Sequence, residues 1–533
     1  MAVFRNTLFI CLVTTSTWAQ TNRYVVFFKD KVGSPHSISQ PTTFLSARAI
    51  SRREKSSVLV TAQDLPVTPS YVSQVRAAGA KAFFTSRWMN AVLIEGTTAD
   101  ASSVAALSIV SKVELVAPGH RLLGGRVSQS KGLQATPASE PYDAQLKMHG
   151  LNLMHADGFR GEGVLISVID TGFPGVNVST PFQHVISGGH VKMTQDFITN
   201  SGNVYQFDKH GTAVLSEIAA KTQSFAGGAY NADFLLFATE DVFSEYRVEE
   251  YNWLFAAEKA DSAGADIIQS SLGYFDFDDS QMDYKVADLN GNTAVVSKAA
   301  TMAKDRGIIV VVSAGNQGNA PWHYIAFPAD AMEILSVGAI TSTESVADFS
   351  SWGPAADGRI KPDVAAMGVN VTVALPDGTF GTASGTSMAS PLVASLAAGL
   401  IQAYPTISAA ELVQDIKASA SQSFAPDNRK GYGIPNYEAV KNYIEAKQAK
   451  NDVWLYPNPA NSKVNLAFKE LPTGAIAIAW YDSQGKLLTS PAAPLNWLNN
   501  PLEISVSQLA AGLYIMKVIT SKYGVRTFRF VKY

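Results

Sequence analysis

The sequence contains 533 residues, a length that suggests a few domains rather than one. Its composition is 47% hydrophobic and 16% charged, which is typical of a globular protein with a sizeable core. The net charge is only −3, with 42 basic and 45 acidic residues, so the charge balance gives no support for a nucleic-acid partner.

Residues 1–19 have the order of a secretory signal: basic Arg5, a short apolar run at 8–13, and small or polar residues up to Ala19. The apolar run is too short to span a bilayer, and a buried N-terminal strand is the less favoured alternative. Cys11 is the only cysteine, so a chain that lost this segment would contain no thiol and no disulfide. That excludes a cysteine peptidase and a cysteine-ligated zinc site.

The segment 20–122 alternates between strand-like and helix-like stretches, which predicts a small α+β domain. Residues 123–143 are polar and lack apolar periodicity, so we expect an exposed linker there that is open to proteolysis. In the first domain we expect strands at 23–29, 89–94 and 113–117, and helices at 70–78 and 99–109.

In residues 144–447, short and nearly continuous apolar runs alternate with longer helical stretches. Strands that are apolar on both faces and separated by helices predict an α/β domain, a parallel sheet with helices on both faces. We expect strands at 164–169, 234–237, 265–268, 307–312 and 334–338, and helices at 211–221, 247–264, 293–307 and 387–404.

The last segment, 448–533, contains alternating strands separated by turn residues, as at 482–485. This pattern predicts a small antiparallel β-sandwich.

Two motifs in the α/β segment place ionisable groups at the ends of elements. Asp170 comes directly after an apolar strand, and in open α/β sheets ligands bind at the carboxyl ends of the strands. His210 stands at the start of a helix whose apolar residues would face the core. Each has an ordinary alternative, since an aspartate there often caps a turn and a lone histidine is usually packed or solvated.

Two further motifs supply a nucleophile and an amide. Asn316 follows a strand and a glycine, and Ser387 follows a glycine-rich turn that leads into an apolar helix. Either could be a simple cap. Together with Asp170 and His210 they form an acyl-transfer set, because the serine needs a base, the histidine needs a carboxylate that fixes its tautomer, and the oxyanion needs donors. Those donors would be the Asn316 amide and the Ser387 N–H.

At these residues the chain resembles the subtilisin-like serine peptidase (subtilase) family, over about residues 146–440. The order Asp170, His210, Ser387 is the subtilisin order. The resemblance implies a secreted serine endopeptidase that cleaves polypeptides through an acyl-enzyme, is made as an inactive precursor, and needs no cofactor for its chemistry. An esterase, or a catalytically silent binding protein on the same scaffold, remains an alternative.

The resemblance also implies a substrate cleft in which the peptide adds as a strand. One exception to the family pattern is Tyr274, where a second glycine is common, followed by an insertion at 275–292 that leaves the pocket size open. The insertion carries five aspartates, for which we favour a solvated acidic loop over a calcium site because the spacing matches no EF-hand. The resemblance implies that the peptide adds beside Ser271, Leu272 and Gly273, and that the opposite wall of the primary specificity pocket is formed by Ser313, Ala314 and Gly315.

The flanking segments carry resemblances of their own. Residues 20–122 resemble a subtilase propeptide, which implies an intramolecular inhibitor; a permanent accessory domain is the alternative. Residues 448–533 resemble the C-terminal sorting domain of the type IX (Por) secretion system, on the motifs at 456–459, 509–514 and 529–532. This implies export across the outer membrane, with release or surface attachment; a plain or sugar-binding β-sandwich is the alternative.

Overall fold

The computed structural model describes residues 21–119, 143–448, 452–456, 458–474, 476–489 and 500–532. The predicted secretory signal at 1–19, with Cys11, lies outside these residues, as does the predicted linker at 123–143 except for Asp143.

The N-terminal elements form a four-stranded antiparallel sheet with helices, in the strand order β2-β3-β1-β4. Three of the strands were predicted, whereas β2 and α1 were missed. The helix α1 escaped notice because its sequence is highly charged and shows no apolar stripe, yet Arg52 and Arg53 within it are buried. The elements are β1 (Asn22–Phe28), α1 (Ala47–Lys55), α2 (Pro69–Ala77), β2 (Lys81–Ser86), β3 (Ala91–Gly96), α3 (Thr98–Ala105) and β4 (Val110–Pro118).

The central elements build a parallel sheet of seven strands in the order β11-β10-β9-β8-β5-β7-β6, with helices on both faces. The predicted α/β class is confirmed. Both edge strands were missed, β6 because its sequence is mostly polar and β11 because it has only four residues. The elements are α4 (Asp143–Met148), α5 (Leu151–Ala156), β5 (Leu165–Asp170), α6 (Gln183–Ser187), β6 (Val191–Asp196), α7 (His210–Ala219), β7 (Asp233–Ala238), α8 (Val248–Ala263), β8 (Ile267–Ser270), α9 (Val295–Lys304), β9 (Ile309–Ser313), β10 (Leu335–Ile340), β11 (Val364–Met367), β12 (Val371–Ala374), β13 (Phe380–Ala383), α10 (Thr386–Ala403), α11 (Ala409–Ser419) and α12 (Tyr437–Gln448).

The helix α10 runs through the core and packs against α7 and strands β8 to β11. Among the described helices it alone is long and apolar enough to cross a membrane, but 83% of it is buried within the protein. Its hydrophobicity therefore reflects its place under the sheet.

The C-terminal elements form two antiparallel sheets, β14-β15-β18 and β17-β16-β19-β20, which confirms the predicted sandwich. Tyr456 in β14 packs on Tyr443 of α12, with ring centroids 5.0 Å apart, and joins this sandwich to the central domain. The strands are β14 (Val453–Tyr456), β15 (Lys463–Phe468), β16 (Ala477–Asp482), β17 (Leu487–Thr489), β18 (Leu502–Ser505), β19 (Gly512–Thr520) and β20 (Gly524–Lys532).

A buried ionic cluster joins the N-terminal domain to the central domain. Asp261 of α8 is fully buried and forms ion pairs with three arginines of the N-terminal domain, Arg52, Arg53 and Arg87. Burial alone would raise the pKa of Asp261, but the arginines around it hold that pKa below its usual value. The interface between the two domains therefore depends on charges that balance only when both are docked.

We predict that Asp261→Asn strongly destabilises the uncleaved protein, since it leaves buried arginines without a counter-charge. Removing one partner of a buried ion pair typically costs about 3–5 kcal/mol of unfolding free energy. Urea unfolding of the full chain, kept uncleaved by Ser387→Ala, measures the change. As a control, Glu333→Gln removes the exposed partner of Lys304 and should cost less than about 1 kcal/mol; equal costs for the two variants would contradict the prediction.

Candidate active site

The sheet brings three chemically important segments to one edge. The neighbouring strands β5, β8 and β9 are parallel and end at Asp170, Ser270 and Ser313. Because parallel strands present their carboxyl ends at the same edge, the segments that follow them lie side by side. The predicted site residues gather at this edge although more than 200 positions separate Asp170 from Ser387 in the sequence.

Asp170 and His210 are in direct contact. The Asp170 carboxylate is fully buried, and its Oδ1 lies 2.7 Å from Nδ1 of His210. The same oxygen accepts a hydrogen bond from the backbone N–H of Thr171 at 2.8 Å. With Nδ1 donating to the carboxylate, Nε2 of the imidazole is left as the basic nitrogen.

A glycine allows this contact. Gly211, the second residue of α7, lies so close to the end of β5 that a Cβ on it would come within 2.3 Å of the Gly172 carbonyl oxygen and 3.0 Å of the Asp170 Cβ. Any larger residue would push the helix away from the strand and lengthen the contact between Asp170 and His210.

The charges around His210 favour its protonated form. Burial by itself would lower the pKa of His210, but Asp170, Asp208 and Glu240 together outweigh burial and raise that pKa above its usual value. Asp208 also accepts a hydrogen bond from the His210 backbone N–H at 2.8 Å, which fixes the start of α7.

Ser387 is the second residue of α10 and is 8% exposed. Ser271 holds it from two sides: the Ser271 carbonyl accepts the Ser387 hydroxyl at 3.3 Å, and the Ser271 hydroxyl donates to the Ser387 carbonyl at 2.8 Å. The Ser387 hydroxyl thus makes its hydrogen bond to Ser271 rather than to His210. In sites without substrate such catalytic contacts are often loose and tighten on binding.

Gln269 and Ser390, which the sequence analysis did not single out, hold Ser271 in this position. Gln269 of β8 is buried and donates to the hydroxyls of Ser271 at 2.7 Å and Ser390 at 3.0 Å. A buried polar residue in an otherwise apolar strand was the available signal.

Asn316 is held with its amide in a fixed orientation. Its Oδ1 accepts hydrogen bonds from the backbone N–H of Thr386 at 2.8 Å and from the Thr386 hydroxyl at 2.9 Å. The oxygen is thus fixed at the start of α10, Nδ2 is the donor group of the same amide, and Asn316 lines the same cleft as Ser387.

One cleft of about 1330 Å³ contains most of the predicted site. Ala326 also lines the cleft. A Cβ added to Gly273 would lie only 2.8 Å from the Cβ of Ala326, so the wall at Gly273 has no room for a side chain. Ala314 is fully buried and Asp170 lies behind His210, and neither lines the cleft. The predicted residues that line it are His210, Ser271, Leu272, Gly273, Ser313, Gly315, Asn316 and Ser387.

Tyr274 does not line this cleft. Its side chain is 1% exposed, and its hydroxyl donates to Oε1 of Glu240 at 2.6 Å. Its backbone exchanges two hydrogen bonds of 3.0 Å with Phe327, so the residue continues the Ser271–Gly273 wall of the cleft while its ring points away from the cleft. The departure from the family pattern therefore leaves the pocket beside Gly273 open.

The expectation of a solvated acidic loop at 275–292 is wrong in one respect. The five aspartates of this segment are all half-buried. Phe277, Met282 and Tyr284 anchor the segment in the core, and this draws the aspartates in with them. Several accept backbone N–H groups; Asp283, for example, accepts that of Phe277 at 2.7 Å. The aspartates are Asp276, Asp278, Asp279, Asp283 and Asp288.

The model of the subtilase family matches residues 161–433, which is half of the chain and includes every predicted site residue. The chain belongs to the subtilase family. It is a subtilisin-like serine peptidase, as the sequence analysis predicted.

Several subtilases resemble this subtilase along its central domain. The subtilisin of Bacillus pumilus is 32% identical over 309 residues, which are 57% of this chain and 98% of the relative. Subtilisin E of Bacillus subtilis strain 168 is 32% identical over 309 residues, 71% of its own length. Among solved structures, MycP1 from Mycobacterium smegmatis matches with 22% identity and a TM-score of 0.46, covering 58% of this chain and 86% of that one.

The flanking segments match family models as well. Residues 23–131 match the peptidase S8 propeptide domain of Bacteroidota, and residues 454–532 match the secretion system C-terminal sorting domain. The chain is therefore the precursor of an exported subtilase, and the predictions of a propeptide and a sorting domain are confirmed.

We predict that Asp208→Asn shifts the acidic limb of the pH profile of kcat/KM to lower pH. Activity requires neutral His210, so it is lost as the pH falls through the His210 pKa; the substitution removes a charge that raises this pKa and keeps an oxygen for the His210 N–H. The limb should move by a few tenths of a pH unit. Asp233→Asn, which affects the ion pairs with His190 and Lys192 instead, should leave it in place.

Proposed function

We propose that the protein is a secreted endopeptidase in which Asp170, His210, Ser387 and Asn316 carry out acyl transfer. The Ser387 Oγ attacks the carbonyl carbon of the substrate peptide bond while Nε2 of His210 accepts its proton. Asp170 keeps the imidazole in the correct tautomer and stabilises the imidazolium. The observation that carries the proposal is the 2.7 Å contact between Asp170 and His210 in a site whose cleft also contains Ser387 and Asn316.

The oxyanion of the tetrahedral intermediate would be held by Nδ2 of Asn316 and the backbone N–H of Ser387. The second donor belongs to the first turn of α10, where the first N–H groups of a helix have no partner within the helix and the helix dipole favours negative charge. Collapse of the intermediate expels the amine, which takes the proton from His210 and leaves an acyl group on Ser387. Water then repeats the sequence and releases the acid, so the reaction itself uses no cofactor.

The precursor would become active by cleavage between residues 123 and 143. Polypeptide substrates would then add as a strand beside Ser271–Gly273, and Ser313–Gly315 would form the opposite wall of the primary specificity pocket. We assign residues 1–19 to a signal, 20–122 to the inhibitory propeptide, 144–447 to the catalytic domain and 448–533 to sorting by the type IX system. Release into the medium and attachment to the cell surface are both compatible with that sorting domain.

We predict that Ser387→Ala abolishes labelling by a fluorophosphonate probe and keeps the precursor at full length, since both reactions need the serine hydroxyl. Labelling is read on a gel, and the termini of the secreted chain by mass spectrometry. The wild-type chain should lose the residues before the linker. A processed wild-type protein that takes up no probe would show that the chain is a silent binding protein.

We predict that Asn316→Ala lowers kcat by about 10²–10³ with little change in KM, because the amide contacts the oxyanion and not the ground-state carbonyl. Steady-state kinetics on casein-derived peptides measure the effect. A simple ester serves as the comparison substrate: an enzyme that turns over the ester but no peptide would be an esterase. Equal kcat values for wild type and variant would remove Asn316 from the mechanism.

A further inference from the structure

The active-site cleft extends past the catalytic groups into a pocket lined by carboxylates. Glu240, Glu245 and Glu249 line the same cavity as His210 and Ser387. One carboxylate oxygen from each of the three glutamates lies within 4.8 Å of the others. We call these three residues the acidic pocket.

The fold fixes the position of this pocket. Glu240 follows the carboxyl end of β7, the neighbour of β5, and Glu249 lies in the first turn of α8. The Tyr274 hydroxyl bonds to Glu240 and so ties the pocket to the substrate wall, because Tyr274 directly follows Gly273 in the chain. The acidic pocket is therefore part of the cleft wall, next to Leu272 and Gly273, rather than a separate surface cluster.

The hydrogen-bond donors to Glu240 and Glu249 are uncharged groups. Oε1 of Glu240 accepts hydrogen bonds from the hydroxyls of Tyr274 at 2.6 Å and Thr239 at 2.8 Å, while Oε2 accepts none from any residue that the structure describes. Glu249 accepts backbone N–H groups from Asp241 at 2.8 Å and Tyr246 at 3.3 Å. Within the described ranges neither glutamate forms an ion pair, although Glu240 is 8% exposed and Glu249 only 2%.

Burying carboxylates beside one another without a cation is unfavourable. Burial and the neighbouring acids raise the pKa of Glu240 to about 7 and that of Glu249 well above its usual value. A cation that entered from the cleft would restore the balance of charge and let the acids ionise. Asp261 on the same helix differs from these glutamates, because three arginines neutralise its buried charge.

We propose that the acidic pocket is a secondary specificity site that binds a lysine or arginine side chain of the substrate, on the N-terminal side of the cleaved bond. The proposal rests on the proposed function. The residue before the cut would occupy the pocket between Gly273 and Gly315, and the preceding residues would run along the Ser271–Gly273 wall, which brings their side chains to the acidic pocket.

The chemistry of the pocket fits an ammonium or guanidinium group better than a calcium ion. Calcium requires six to eight oxygen ligands. Glu249 and Oε1 of Glu240 are already engaged with protein N–H and O–H donors, which leaves few oxygens in the pocket for a metal ion. An ammonium group needs only three acceptors and arrives on a chain that the cleft already binds.

The test uses internally quenched peptides in matched pairs, with lysine or its neutral isostere norleucine at each of the second to fifth positions before the cleaved bond. For the processed wild-type enzyme we expect a lysine at one of these positions to raise kcat/KM about tenfold or more, in line with buried charge pairs at other interfaces. Glu240→Gln keeps the volume and the acceptor for Tyr274 and Thr239, and should reduce that preference to less than about threefold. Because Glu240 also raises the pKa of His210, the rates are compared at a pH above the acidic limb of the profile, where the norleucine peptide should lose far less than the lysine peptide.

Two further variants make the result decisive. Glu245→Gln changes the half-buried member of the pocket, where the risk to folding is smaller, and should also reduce the lysine preference. Glu250→Gln is the matched control: Glu250 is the next residue on α8 and is equally buried, but it bonds to Tyr284 and Val296 and does not line the cleft. This variant should keep the full preference.

Three outcomes would overturn the proposal. An enzyme labelled by the fluorophosphonate probe that cleaves both peptides of every pair equally well would refute it and leave the proposed function intact. A preference unchanged in Glu240→Gln and Glu245→Gln would place the recognition elsewhere. If a calcium chelator slows the cleavage of both peptides equally, and Glu240→Gln removes that sensitivity, the pocket holds a metal ion instead. Failure of labelling is a separate result, since it concerns the proposed function alone.

Discussion

The contact between Asp170 and His210 joins the last residue of β5 to the first residue of α7, and the other site residues are arranged around it. It exists because parallel strands end at a common edge and because Gly211 lets the helix approach the strand. The neighbouring strand β8 then delivers Ser271, which fixes Ser387 at the start of α10. A shift of the sheet register by one residue would face these groups the wrong way.

The helix α8 contacts both the active-site cleft and the propeptide domain. Its first turn carries Glu249, which faces the cleft, and its last turn carries Asp261, which faces the propeptide. The two acids differ in what surrounds them: Asp261 meets arginines that arrive with the propeptide, whereas Glu249 has backbone donors and other acids around it. Loss of the propeptide would therefore expose the Asp261 end of the helix to solvent, whereas the Glu249 end lines the cleft.

Buried charge also explains where prediction from pattern failed. Helix α1 was missed because arginine and lysine dominate its sequence, and such residues normally lie in solvent. Arg52 and Arg53 are buried because Asp64 and Asp261, which lie outside the helix, neutralise them. The aspartates at 275–292 were expected in solvent for the same reason, and are half-buried because the segment is anchored by three apolar side chains. A sequence pattern reflects the usual preference of each residue type for solvent or core. The ion pairs that allow a charged residue to be buried depend on residues that only the fold brings together.

The sequence by itself determined the α/β class and the presence of a propeptide and a sorting domain, and it singled out Asp170, His210, Asn316 and Ser387 as candidate site residues. Apolar periodicity and motifs are local, so they survive in a single chain without knowledge of contacts. Only the tertiary structure decided that Tyr274 turns away from the cleft, that Ala314 lies behind its wall, and that Glu240, Glu245 and Glu249 converge beside it. Those features depend on side-chain directions and on contacts between separate elements, which no short stretch of sequence encodes.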